Sequence, residues 1–284
     1  MSLFVRSRAR RSRRGTIIVE SALVLLALVW FIPVYYLIVT TLKTAKNATD
    51  SPLGWPDPIM VSNYAAAWER MQYPRAFLNT AFISVTSVAL VILLGGLAGY
   101  AIARSRTKAG PRFFLLFLSG LVVPFQMNII SLFSIVKHLG LMNTPWAVIL
   151  VNVAINLPQA VFLLKEFICA TVPIELEEAA DIDGCSVPTK FFRIVFPLLK
   201  PVVATLAIIT TLNVWNEFLI PLLFLQTRDR GVILQEVARN IGQFSTDWTA
   251  MFPMMMLGVL PLVIFYIFMQ KYIIAGVAAG GLKG

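Results

Sequence analysis

The sequence predicts an all-α membrane protein with six transmembrane helices, on three observations. Hydrophobic residues make up 58% of the 284 residues and charged residues only 13%, which is too few charges for the surface of a soluble domain. A helix needs about 20 apolar residues to cross a bilayer, and runs of this kind recur along the chain. We place the spans at Thr16–Leu42, Ala76–Ala103, Phe113–Val136, Thr144–Ile168, Val202–Leu225 and Met251–Tyr272.

The charge distribution predicts how these spans are oriented. The net charge is +10, and basic residues concentrate before the first span, after the second, after the fourth and after the sixth. The positive-inside rule places these segments, and therefore both termini, in the cytoplasm. We interpret the basic residues as topology determinants and contacts to anionic lipid, and we expect no nucleic-acid partner.

We expect one membrane domain at residues 16–272, between a basic N-terminal segment at 1–15 and a C-terminal tail at 273–284, both cytoplasmic. The first apolar run is too long for a signal peptide, and no cleavage site of the A-x-A type follows it. Cys169 and Cys185 fall in a cytoplasmic connection. A reducing compartment and the lack of neighbouring ligands favour neither a disulfide nor a metal site.

The cytoplasmic connection at residues 169–201 predicts a helix, a sharp turn and a second helix. Pro173 suits a first helical turn, and the glutamates that follow it lie where the helix dipole favours anions. Gly184 can adopt the left-handed conformation that ends a helix. Ser186 can then cap a short second helix that reaches Pro197.

The first of these two helices is acidic, and it also carries a small apolar surface formed by Ile174, Ala179, Ala180 and Ile182. Helices that rest on lipid usually carry Lys and Arg on their polar face, and the anionic leaflet repels carboxylates. The pattern therefore favours docking into a groove of a partner protein. A helix lying on the lipid surface is the alternative.

The same connection contains Glu178-Ala179-Ala180-x-x-Asp183-Gly184, then Phe191-x-x-Ile194, then Pro197-Leu198-x-x-Pro201. This pattern resembles the EAA loop of permeases in binding-protein-dependent ABC importers. The resemblance implies the type I ABC importer permease fold, with the loop as a cytoplasmic coupling helix that docks into an ATP-binding subunit. It implies an ATPase-coupling role for Glu178, Ala179, Ala180, Asp183, Gly184, Phe191 and Pro197.

Other stretches resemble the smaller, six-span permease of the maltose-type, carbohydrate-uptake branch. They are Tyr100–Arg104 at the end of the second span, Trp215–Leu222 in the fifth, and the ending from Gln270. The ending departs from the pattern at Ile274-Ala275-Gly276, where a basic residue is expected before the glycine.

This resemblance implies the transmembrane subunit of an ATP-driven sugar importer in a bacterial inner membrane, forming half of the pathway. The implied partners are a dimer of ATP-binding subunits, a second and different permease, and an extracytoplasmic solute-binding protein that meets the outer loops Lys43–Arg75 and Gln226–Ala250. The chain has no G-x-x-x-x-G-K-[ST] phosphate loop. We therefore expect no cofactor in this chain and no enzyme activity of its own, with ATP and Mg bound by the partner subunits.

Polar side chains within the fourth and fifth spans are the candidates for a substrate pathway. A carboxylate at mid-bilayer costs about 2.5–3.5 kcal/mol and should face protein or water, and sugar hydroxyls need donors and acceptors of this kind. Hydrogen bonds between helices, worth about 0.6 kcal/mol each on average, are the other interpretation. The candidates are Asn152, Asn156 and Gln159 in the fourth span, and Asn213, Asn216 and Glu217 in the fifth, with Thr210, Asn213 and Glu217 sharing one helix face.

The sequence leaves three other functions open. The importer could carry another solute, such as a glycerol-phosphate ester. A secondary transporter or channel would need coupling-ion carboxylates or an inverted repeat, and only Glu217 is a good intramembrane carboxylate. A membrane enzyme would need catalytic side chains that lie close together, and Glu217 and His138 fall on different elements.

Overall fold

A computed structural model describes residues 13–240 and 247–281, with side chains for 19–240 and 247–270. Residues 1–12 of the predicted N-terminal segment and residues 282–284 of the predicted C-terminal tail lie outside these residues. The described part of the chain is helical and contains no strand. Its α-helices are α1 (Arg13–Thr40), α2 (Ala45–Asp50), α3 (Ser62–Arg70), α4 (Tyr73–Ala103), α5 (Ala109–Val122), α6 (Ile129–His138), α7 (Pro145–Thr171), α8 (Ile174–Ile182), α9 (Val187–Lys190), α10 (Phe196–Leu198), α11 (Lys200–Trp215), α12 (Leu219–Phe224), α13 (Ile233–Arg239) and α14 (Trp248–Gly281).

Four of these helices are long and apolar enough to cross a membrane: Val19–Thr40 of α1, all of α4, all of α7, and Trp248–Gln270 of α14. Two bent pairs also qualify, Ala109–Val122 with Phe125–His138 at 93° and Val187–Leu198 with Lys200–Trp215 at 79°. The described residues thus hold up to six spans if each bent pair counts as one. The predicted all-α, six-span class is confirmed in this form.

The third predicted span, Phe113–Val136, is not one continuous helix. Helix α5 ends at Val122, and Val123 adopts an extended conformation with φ −83° and ψ 114°. Pro124 has no backbone N–H and disfavours helical geometry in the residue before it. A 3₁₀ turn at Phe125–Asn128 then leads into α6, so the proline breaks the span instead of bending it gently.

The fifth predicted span, Val202–Leu225, is also interrupted. Helix α11 ends at Trp215 and α12 begins at Leu219. In the break, the Glu217 carboxylate accepts hydrogen bonds from the backbone N–H groups of Leu219 (2.7 Å) and Ile220 (3.1 Å). The prediction that Glu217 shares a helix face with Thr210 and Asn213 is therefore wrong, because an acceptor that caps the next helix is more favourable here than continued helix.

The chain divides into two compact units, Met1–Ala67 with Gly242–Met256, and Trp68–Ile241 with Leu257–Gly284. In the first unit, Asn63 donates to the carbonyl groups of Thr41 (3.0 Å) and Lys43 (2.9 Å). The Lys43 amine is fully buried and donates to the carbonyl groups of Ser51 (2.7 Å) and Pro52 (2.9 Å). Burial lowers the pKa of this amine. These bonds give the connection after α1 an ordered structure.

The core of the second unit is the packing of α4 against α7. Glycines on α4 lie where α7 approaches most closely. A Cβ at Gly95 would lie 2.7 Å from Cβ of Ala160, and a Cβ at Gly99 would lie 3.1 Å from the backbone N of Lys165. Small residues permit this close backbone contact between membrane helices.

The two ends of α4 hold different connections of the second unit. At its start, Asn79 donates to the carbonyl groups of Asp229 (2.9 Å) and Gly231 (3.0 Å). At its end, Arg104 pairs with Glu177 at 2.7 Å. A helix of 31 residues is about 46 Å long at 1.5 Å per residue. The connections at residues 169–201 and 226–240 therefore lie at opposite ends of a span, as the predicted topology requires.

Candidate coupling site

Helix α8 and the turn after it form the elbow that the sequence predicts. The backbone N–H of Gly184 donates to Asp181 O (3.1 Å), and the N–H of Cys185 donates to Ala180 O (2.9 Å). Gly184 has φ +73°. This is the Schellman arrangement that ends a helix with a left-handed glycine, so the predicted glycine stop is confirmed.

The second half of the connection differs in detail from the predicted helix. After α9 it widens into a π-helical turn at Phe191–Val195 before α10. Ser186 occupies the N-cap position of α9 but makes no capping bond to the backbone. Its hydroxyl instead lies 2.9 Å from the hydroxyl of Thr189. Turns of the π type frequently mark functional positions.

The candidate coupling residues divide between an exposed tip and a buried anchor. Glu178, Ala179, Asp183, Gly184 and Pro197 are exposed, whereas Ala180 and Phe191 are buried. Phe191 packs against α4, where a Cβ on Gly96 would lie 3.2 Å from its ring, and its ring centroid lies 5.4 Å from that of Tyr100. Ile182 is 88% exposed. The apolar surface predicted from Ile174, Ala179, Ala180 and Ile182 is thus wrong for Ala180, which faces inward.

Glu177 is the residue of this site that the sequence did not single out. Its side chain is 6% exposed. One carboxylate oxygen accepts a hydrogen bond from the Tyr100 hydroxyl (2.6 Å) and the other from Nε of Arg104 (2.7 Å). Consecutive helical residues point about 100° apart, so Glu177 and Glu178 lie on different faces of α8. This difference in direction was the sequence signal that one of the two glutamates faces the spans.

Two of the polar candidates in the spans join neighbouring helices, and a third bonds within its own helix. Asn156 accepts a hydrogen bond from the Asn213 amide at 3.1 Å, which joins α7 to α11. Asn152 is buried and donates to Val148 O (2.9 Å) within its own helix. The structure therefore brings Asn156 and Asn213 together.

The other three candidates do not join that pair in any described hydrogen bond. Asn216 is exposed and donates to Leu212 O (2.9 Å) within its own helix segment. Glu217 is half-buried and caps α12. Gln159 is half-buried on α7. These three leave polar groups available at the surface of the single chain.

We expect the Asn156–Asn213 bond to couple the stabilities of α7 and α11. Replacing both residues by Ala should cost less than the sum of the single replacements, by about 0.6 kcal/mol. Thermal unfolding of the purified variants measures this difference. Asn216→Ala is the matched control, since its amide bonds only within its own segment. Strictly additive losses for Asn156 and Asn213 would contradict an interhelical role.

A second ionic cluster, also missed by the sequence, holds the connection at residues 226–240. Glu236 is fully buried and pairs with Arg75 (2.8 Å) and Arg228 (3.0 Å). Arg75 also contacts the side chain of Gln72. A buried carboxylate needs compensating partners of this kind, and no local sequence pattern identifies residues so far apart. The cluster fixes α13 against the start of α4.

No group of three or more His, Cys, Asp or Glu side chains within the described ranges has the geometry to hold a metal ion. His138 ends α6, with Nδ1 2.7 Å from Ser134 O. Its ring therefore contacts its own helix.

Comparison with known proteins relates this chain to membrane components of transport systems. Residues 91–278 match the model of the family described as binding-protein-dependent transport system inner membrane component. The chain is 36% identical over 98% of its length to the melibiose/raffinose/stachyose import permease protein MelC of Bacillus subtilis (strain 168), all of which is covered. It is 35% identical over 89% of its length to the multiple sugar-binding transport system permease protein MsmG of Streptococcus mutans, of which 91% is covered.

A solved structure gives the fold independently of close sequence similarity. A chain of a bacterial ABC transporter involved in the import of the acidic polysaccharide alginate superposes with a TM-score of 0.81 at 18% identity. The match covers 93% of this chain and 98% of that one. Since the matching family model spans well over half of the sequence, the protein belongs to the family of inner membrane components of binding-protein-dependent transport systems, the permeases of ABC importers.

Proposed function

We propose that this chain is a permease subunit of an ATP-driven importer of sugars, with oligosaccharides as its substrate class. Relatives that share 35–36% of their residues with it are named for sugar import. A third, 38% identical over 73% of this chain, is named for arabinooligosaccharide transport. These relatives are named for the same class of solute but for different individual sugars.

The observation that carries the proposal is the exposed elbow of α8 at one end of the helix bundle. Glu178 and Asp183 present carboxylates there, beside Ile182 and the left-handed Gly184. Such a knob fits a groove on a partner, and its acidic face opposes adsorption to anionic lipid. A dimer of ATP-binding subunits is the partner, and ATP and Mg are held there and not in this chain.

Docking of the elbow on ATP-binding subunits also sets the orientation of the chain in the membrane. The elbow and both termini lie in the cytoplasm, and the connections at the opposite end of α4 meet a solute-binding protein. A second, different permease completes the pathway. Exposed or half-buried polar groups of Gln159, Asn213, Asn216 and Glu217 line this chain's half of the pathway, while Asn156 also holds α7 against α11 through its bond with Asn213.

The test is ATP hydrolysis by the whole complex reconstituted in lipid nanodiscs. We expect the solute-binding protein loaded with raffinose or melibiose to stimulate hydrolysis, whereas sn-glycerol 3-phosphate has no effect. Stimulation by the phosphate ester alone would contradict the sugar assignment. Uptake of raffinose into vesicles that lack the ATP-binding subunits would contradict the importer assignment as a whole.

A further inference from the structure

We propose that Arg104 and Glu177, with Tyr100, form a positioning contact that passes movement of the coupling helix α8 to the spans α4 and α7. We call these three side chains the clasp. This inference rests on the proposed function, since it assumes that α8 docks on an ATP-binding subunit. It concerns a different property, namely how the docked helix moves the membrane domain.

Burial and bonding make the clasp a stiff connection. The Glu177 side chain is 6% exposed and that of Arg104 is 18% exposed. Both carboxylate oxygens are engaged, by the Tyr100 hydroxyl at 2.6 Å and by Nε of Arg104 at 2.7 Å. Charge-assisted hydrogen bonds are short and strong, and removing one partner of a buried pair leaves an uncompensated charge. Helix α8 therefore cannot shift at Glu177 without taking the end of α4 with it.

The same guanidinium also reaches a second span. Nη2 of Arg104 donates to the carbonyl of Val172 at 2.8 Å, and Val172 follows directly after the last residue of α7. One planar group thus joins the ends of α4 and α7 to α8. The fork of donors on arginine permits both bonds at once, and the single ammonium of lysine does not match this geometry.

The clasp separates two neighbouring glutamates by role. Glu178 is exposed, so it is free to meet the docking partner, whereas Glu177 faces the spans. Another ion pair in this connection, Lys190 with Asp181 at 2.6 Å, links α8 to α9 without reaching α4 or α7. That pair has similar length and lies on the same helix, which makes it the matched control.

The experiment compares ligand-free ATP hydrolysis in the reconstituted complex for Glu177→Gln, Arg104→Lys and Asp181→Asn. If the resting membrane domain restrains the ATP-binding subunits through the clasp, Glu177→Gln and Arg104→Lys should raise ligand-free hydrolysis about fivefold or more, the lower range of measured couplings between sites. The ATP-binding subunits should still co-purify in unchanged ratio. Asp181→Asn should match the wild type in both measurements.

Two further variants keep the test decisive. Tyr100→Phe removes one hydrogen bond but keeps the ion pair, so it should fold and give an intermediate rise. The exchange Arg104→Glu with Glu177→Arg should lower hydrolysis again relative to Glu177→Gln. Equal rates in all variants and the wild type would overturn the clasp, and so would loss of the ATP-binding subunits in Glu177→Gln, which would make Glu177 a docking residue. Failure of the wild-type chain to bind ATP-binding subunits would instead refute the proposed function.

Discussion

Gly184→Val should leave the importer assembled but largely uncoupled. Gly184 has φ +73°, and a Cβ there would meet nothing within 4 Å. The cost of the substitution is therefore backbone strain and not steric overlap. For a β-branched residue in the left-handed region this strain is about 1–3 kcal/mol, enough to turn the elbow away from its docking position. We expect transport per ATP hydrolysed to fall about 5- to 150-fold, the range that this free energy corresponds to.

Gly140→Val is the matched control for this prediction. Gly140 has φ +67° and equally open surroundings, so the strain is of similar size. It lies in the turn before α7. In this turn Asn143 accepts a hydrogen bond from the N–H of Thr227 at 3.1 Å, which belongs to the connection at the other end of α4 from the elbow. The control should lose comparable thermal stability and keep its coupling ratio. Equal coupling ratios in both variants would show that the elbow's conformation is irrelevant, whereas Gly184→Asn should be tolerated because Asn readily adopts this conformation.

Gly95→Leu should destabilise the protein more than any other substitution considered above. The Cβ alone would lie 2.7 Å from Cβ of Ala160 and 3.5 Å from Cδ1 of Leu164, both on α7. Overpacking a close-packed core costs about 1–3 kcal/mol and sometimes more. Because α4 and α7 form the core of the second unit, we expect a loss of monodisperse protein in detergent and a lower melting temperature.

The smaller change Gly95→Ala allows a reciprocal test. It should destabilise by less than Gly95→Leu, and adding Ala160→Gly should recover most of the loss, because the second change removes the methyl group that the first one meets. Leu94→Phe enlarges a side chain on the same helix that is already 41% exposed and should change little. Independent, additive effects at positions 95 and 160 would contradict direct contact between these helices.

The number of apolar segments and the coupling elbow were predictable because each depends on a short stretch of chain. Crossing a membrane requires only length and apolarity within one segment. The end of α8 depends on a glycine at one position, and Gly184 adopts the predicted conformation.

The continuity of the spans was less predictable. Pro124 and Pro221 fall inside predicted spans, and a proline is compatible either with a kinked, continuous helix or with a break. The chain breaks at Pro124, and it breaks before Pro221 where the Glu217 carboxylate takes the N–H groups of Leu219 and Ile220. A polar side chain inside a span can bond to its own backbone, to another helix or to a solute, and hydropathy does not distinguish these partners.

The sequence alone determined that this is a six-span membrane protein with an acidic, glycine-ended elbow on one face, since insertion and helix ending are governed by local composition. Only the tertiary structure decided which glutamate of the elbow faces inward. Glu177 is buried because Arg104 and Tyr100, 73 and 77 residues earlier in the chain, satisfy its carboxylate. A pairing of this kind depends on how α4, α7 and α8 pack, and no stretch of local sequence encodes that packing.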